Sequence, residues 1–133
     1  MTVHVSQDLR QTLDELGSRF LREFLEVEIR RHPDNVEALA ELGQVYTNRG
    51  EWEAGLEVDL RLVELVPHSS TAFYNLACSY ALLGRTEEAL DGLEQAVELG
   101  YDDADFMCGD EDLASLREEQ RFRSLLERIR PGD

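Results

Sequence analysis

The sequence predicts an all-α protein assembled from antiparallel helical hairpins, on three observations. The chain resembles itself when shifted by 34 residues, the spacing between Pro33 and Pro67. Within each copy apolar residues recur at intervals of three and four, the repeat of one helix face. Only three prolines, at 33, 67 and 131, interrupt the chain, so the stretches between them carry no helix breaker.

The shift lays Leu39 on Phe73, Leu42 on Leu76, Gly43 on Ala77, Tyr46 on Tyr80, Gly50 on Gly84, Leu56 on Leu90 and Leu62 on Ala96. In the first copy Leu39, Leu42, Gly43 and Tyr46 make one stripe, which Gly50 ends because glycine enters the left-handed region without steric cost. Trp52, Leu56, Leu60, Leu62 and Val63 make a second stripe, stopped by Pro67. The next copy runs from Phe73 to Leu83, turns at Gly84, and continues through Ala89, Leu90, Leu93, Ala96, Val97 and Leu99 to Gly100. Gly43 and Ala77 on the first helices, with Gly55 and Ala89 on the second, are the small residues that let backbones approach.

Before the repeats, Leu9, Leu13, Leu16, Phe20, Phe24, Val27 and Ile29 form an amphipathic stripe ending at Arg31, with Ser6 as N-cap. This predicts one long helix, bent at Gly17, whose second half packs where a preceding repeat would lie and caps the stack. After them, Leu113 and Leu116 suit a short helix capped by Asp110, and Phe122, Leu125, Leu126 and Ile129 a longer one that covers the last repeat's open end. Arg128 and Arg130 fall in its last turn, where cations favour the helix dipole. The predicted organisation is a single domain, 1–133: a capping helix (1–35), two repeats (36–69 and 70–103) and C-terminal capping helices (104–133).

Composition narrows the function. At 133 residues with 42% hydrophobic content the chain suits one folded domain rather than a disordered segment. A net charge of −16 excludes nucleic acid and anionic membrane surfaces as partners. Every basic residue is arginine, so no lysine is available for Schiff-base chemistry or a phosphate loop. Cys78 and Cys108 have neither CxxC spacing nor a disulfide framework. No leader pattern opens the sequence and no stretch reaches membrane-spanning length, which predicts a cytoplasmic protein.

The pattern Leu42-Gly43-x-x-Tyr46, Gly55 and Pro67, followed by Leu76-Ala77-x-x-Tyr80 and Ala89, resembles the tetratricopeptide repeat over residues 36–100. It departs from that family at Leu39, where tryptophan is usual, at Asp59, where an aromatic is common, and at Gly100-Tyr101 in place of proline. The closing segment, residues 110–126, resembles that of many bacterial proteins of the class. The resemblance implies a right-handed superhelix whose first helices line a concave groove that holds a peptide or protein.

Side chains expected in that groove are Glu37, Ala40, Glu41, Gln44, Thr47 and Asn48 from the first repeat, and Thr71, Tyr74, Asn75, Cys78, Ala81 and Leu82 from the second. Some relatives clamp a terminal carboxylate with lysine and paired asparagines. Here Ala40 and Gln44 stand at those positions, and Glu37 and Glu41 would repel a carboxylate, so the expected partner is neutral or basic. Catalysis, cofactor and metal are not expected. Cys78 with His4, His32 or His68 is the sharpest nucleophile–base idea, but no phosphate loop or nucleophile elbow accompanies it. Asp103-Ala104-Asp105 begins like a calcium loop, yet Met107 replaces the third oxygen ligand. The alternative function is structural: the chain, expected as a monomer or a homodimer, self-associates and supports a larger assembly through the N-terminal helix, whose Phe20, Leu21, Phe24 and Leu25 exceed what one repeat can cover.

Overall fold

A computed structural model describes residues 7–130, apart from the side chains of residues 10 and 13. Ser6 and His4 lie outside the described residues, as does the side chain of Leu13. Among the described residues seven α-helices follow in order: α1 (Gln7–Arg31), α2 (Val36–Asn48), α3 (Trp52–Leu65), α4 (Ser70–Leu82), α5 (Thr86–Glu98), α6 (Ala104–Gly109) and α7 (Gln120–Ile129), with a 3₁₀ helix (Glu111–Leu116) between the last two. Among the described residues there is no strand. Consecutive helices pack on one another from α1 to α5, and the C-terminal segment folds back over α4 and α5.

The hairpin helices start and stop where their chemistry directs. Asn35 Oδ1 accepts from the Ala38 N–H at 3.1 Å to open α2, and Ser69 Oγ accepts from the Ala72 N–H at 3.1 Å to open α4. Both hairpins turn on glycines in the left-handed region, Gly50 at φ 78° and Gly84 at φ 76°. After each glycine the chain bonds back to the tyrosine of the first helix: Glu51 N–H to Tyr46 O at 2.8 Å, Arg85 N–H to Tyr80 O at 2.9 Å. The 34-residue shift is visible in the backbone as well as in the sequence.

The core is unevenly distributed. A continuous cluster joins α4 and α5 to the C-terminal segment, with Leu90, Leu93, Met107, Leu113 and Leu116 wholly buried and Phe122 1% exposed. The N-terminal half holds two smaller clusters, Leu25-Ala38-Leu42-Val45 and Leu39-Leu62-Ala72. Leu113, Leu116, Phe122 and Leu125 do cover α4 and α5 as their spacing predicted. Arg121 ties α7 to α5 through Glu87, Asp91 and Glu94 at 2.8–3.1 Å, and Arg130 pairs with Asp105.

Two predicted stripes are corrected. In α3 the buried face is Gly55, Leu56, Asp59 and Leu62, while Trp52 and Leu60 are exposed. Because α3 is wedged between α2 and α4, its inward face is rotated toward the small Gly55 and the polar Asp59. In α1 the inward face is Leu25 with Ile29; of the predicted stripe Ile29 packs inward as expected, while Leu9, Leu16, Phe20, Phe24 and Val27 point outward, Phe20 70% exposed and Phe24 61%. The helix is anchored by polar contacts to the α2–α3 turn instead, Arg22 to Glu51 at 2.8 Å and Arg49 to Glu15 at 3.0 Å. An amphipathic stripe identifies a helix, but not which of two apolar faces its neighbour will take.

Candidate functional site

The inner faces of α2 and α4, the side of α3 and the C-terminal segment enclose a cleft of about 510 Å³. Gln44 and Thr47 reach it from α2, Asp59 from α3, and Thr71, Tyr74, Asn75 and Cys78 from α4. The opposite wall is Tyr101, Asp103, Phe106, Asp110 and Asp112. Four aspartates therefore line the cleft, and among the described residues no arginine or histidine does.

The wall is held by a few definite contacts. Tyr74 stacks on Tyr101 with ring centroids 4.6 Å apart and planes 15° apart, and Phe106 lies tilted at 6.0 Å. The Tyr74 hydroxyl donates to Asp110 Oδ2 at 2.7 Å, while Asp110 Oδ1 accepts the Asp112 N–H at 3.0 Å and caps the 3₁₀ helix. Asp103 Oδ1 caps α6 through the Phe106 N–H at 3.0 Å. Burial and the bond to Asp110 hold Tyr74 protonated well above the ordinary phenol range.

At the floor, Asp59 is 4% exposed and accepts a hydrogen bond from Ser79 Oγ at 2.5 Å. Burial raises its pKa to about 6, against the lowering pull of that hydrogen bond. The carboxylate fits because position 43 is glycine: a Cβ there would stand 2.9 Å from Asp59 Oδ1. Cys78, Asp110 and Asp112 each bring one possible metal-ligand atom within 4.8 Å of the others. The thiol sits 3.8 Å from Asp110 Oδ2 as a donor, and burial, then the charges of Asp110, Asp112 and Asp59, push its pKa well up. With no cation beside it the thiol stays protonated, donates to Asp110 and is a poor nucleophile.

Of the residues expected in the groove, the structure brings Gln44, Thr47, Thr71, Tyr74, Asn75 and Cys78 together on the cleft. Glu37, Ala40, Glu41 and Asn48 lie along α2 outside it, and Asn48 Oδ1 accepts from Gln44 Nε2 at 3.0 Å. Ala81 is buried and Leu82 half-buried. The flat surface expected of Tyr74 is already covered by Tyr101, so Tyr74 is 5% exposed, and the exposed ring at the rim is Phe106, 58% exposed. The groove expected from the first helices lacked this second wall. Its signal was present in Asp59, an acid inside an apolar stripe, and in the two aromatics Tyr101 and Phe106 set among aspartates.

Residues 72–105, from α4 into α6, match the tetratricopeptide repeat family. Together with the repeated hairpins this decides the class. Residues 72–105 are a tetratricopeptide repeat. The chain is 33% identical over 90 residues to a chloroplastic protein of Arabidopsis thaliana, a match covering 65% of this chain and 27% of that one. The chain thus spans about a quarter of the length of that curated relative. Its fold is similar to a crystal structure of MamA, with a TM-score of 0.71 and 19% identity over 97% of this chain and 77% of that one. MamA from Desulfovibrio magneticus RS-1 aligns with a TM-score of 0.67 and 19% identity, covering 95% and 75%. Tetratricopeptide folds are protein–protein interaction scaffolds, and among the described residues no helix is long and apolar enough to cross a membrane.

Proposed function

We propose that this protein is a non-catalytic interaction module that holds a neutral or basic polypeptide segment in the cleft between α2, α4 and the C-terminal segment. The observation that carries the reading is the lining itself: four aspartates, the amides of Gln44 and Asn75 and the exposed Phe106 ring, with no cationic side chain among the described residues. Amides can pair with an extended backbone, the ring offers an apolar foothold, and the acids favour arginine or lysine side chains. The chain's −16 charge would accelerate encounter with such a partner in a salt-dependent way. Two free thiols, Cys78 buried and Cys108 exposed, suit a cytoplasmic setting. That the cleft serves binding at all is inferred from the fold class.

Fluorescence anisotropy with labelled peptides of equal length and differing charge tests this. Basic or neutral peptides should bind, acidic ones should not, and added salt should weaken the basic ones. A variant carrying Asn75→Ala and Phe106→Ala, with unchanged circular dichroism, should bind at least about tenfold more weakly, the loss expected for two interface contacts. Equal binding by that variant, or indifference to peptide charge, would remove the cleft from consideration.

A further inference from the structure

The outward face of α1 is apolar and long, and among the described residues nothing covers it. At about 100° per residue, Leu16, Phe20, Phe24 and Val27 fall on one side of the helix, and Leu25 and Ile29 on another. The structure agrees: Leu25 is buried against α2, while Leu16, Phe20, Leu21, Phe24 and Val27 are 38–70% exposed. Taking about 150–250 Å² for a whole aromatic side chain, these five present on the order of 500 Å². Two such faces together would bury roughly 1,000 Å², the threshold for a specific interface. A patch of that size is comparable to the largest on a typical monomer, and such patches are often functional.

The face also carries features that its own protomer does not use. Gly17 sits inside α1 beside Phe20, where glycine weakens a helix relative to alanine, yet a Cβ there would meet nothing within 4 Å. A second helix approaching closely would give that glycine a purpose. On one flank of the stripe stand Arg19, which among the described residues takes part in no ion pair, and Glu23, paired only weakly with Arg22 at 3.9 Å. One turn apart and opposite in charge, they are self-complementary under a two-fold axis: Arg19 of each copy meets Glu23 of the other. The same operation sets Phe24 against Leu16 and Phe20 against itself.

We propose that this face of α1 binds the same face of a second copy of the chain, antiparallel, about a two-fold axis near Phe20. The pairing is independent of the cleft, which lies on α2, α4 and the C-terminal segment. Because each copy carries −16, association strengthens as salt screens the repulsion between them, the opposite of the trend for a basic peptide in the cleft.

Sedimentation equilibrium of the full chain, from low to high micromolar concentration, is the test. The wild type should dimerise, more tightly at higher salt. Phe20→Glu with Phe24→Glu should weaken dimerisation at least about tenfold with unchanged circular dichroism, since both rings are exposed. If that variant misfolds, the exposed charges decide: Arg19→Glu should weaken the dimer and Arg19→Glu with Glu23→Arg should restore it. In a Cys108→Ser background, Phe20→Cys should oxidise to a covalent dimer. Leu16→Cys should do so only when mixed with Phe24→Cys. A wild type that stays monomeric throughout, a dimer indifferent to these changes, or efficient cross-linking of Leu16→Cys alone would overturn the proposal.

Discussion

From α4 to α7 the chain closes on itself: the C-terminal segment lies across the last hairpin and leaves Leu90, Leu93, Met107, Leu113 and Leu116 with no exposed surface. From α1 to α3 the same kind of helix packs more loosely, in two small clusters, with Phe20 and Phe24 in solvent. Both halves are built on one pattern, and the difference between them is what lies beyond the last helix. A stacked repeat is stable in proportion to the faces its neighbours cover. Among the described residues one end has such a neighbour, and at the other the outward face of α1 has none.

Substitutions should expose that contrast, the largest effect first. Phe122→Ala removes the 1%-exposed anchor of α7 and should cost about 3–5 kcal/mol, read by chemical denaturation. The cap would loosen with it, so the signal of Tyr101 and Phe106 should shift before the global transition.

Asp59→Asn probes the boundary between the halves. The folded carboxyl has its pKa raised to about 6, so its proton is favoured in the folded state. The associated stability is fully present below the unfolded pKa and is lost as pH rises through about 6. The wild type should therefore lose stability between about pH 4 and 7 from this group, by on the order of 2–3 kcal/mol for a shift of that size. Asparagine should flatten that slope while keeping the hydrogen bond from Ser79. A slope unchanged in the variant would assign the pH dependence to other groups.

Gly43→Ala presses a methyl against Asp59 Oδ1 and should cost about 1–3 kcal/mol. Combined with Asp59→Ala the penalty should be less than additive, which a double-mutant cycle measures. Smallest is Phe20→Ser in the open half. Measured at a concentration low enough to keep the chain monomeric, it should change stability by no more than about 0.5 kcal/mol, because a ring already in water has little to lose. A large loss there would mean that α1 is covered after all.

The repeated hairpins were legible because their determinants are local: Gly50 and Gly84 for the turns, and the three–four spacing around Leu42 and Leu76 for the inner faces. The C-terminal cover was legible too, since Leu113, Leu116, Phe122 and Leu125 had nowhere else to bury. The packing direction of α1 was not, because Leu25 and Phe24 lie on different apolar faces and only the shape of α2 selects between them. Half of the cleft was equally out of reach. Gln44, Thr71 and Asn75 follow from the first-helix register, whereas Tyr101, Phe106 and Asp110 arrive by the return of the chain over α4. No periodicity encodes that return.

The buried Asp59 has one more consequence. Two hairpins built on one pattern could in principle stack in the wrong order, α5 taking the place of α3 against α2. Under the 34-residue shift the counterpart of Asp59 is Leu93. In the exchanged arrangement leucine would face Gly43, and Ser79, 1% exposed, would be left without its acceptor. An unpaired hydroxyl in that position is costly, so only one order satisfies it. The carboxylate thus labels its hairpin, telling two near-copies apart as the chain assembles.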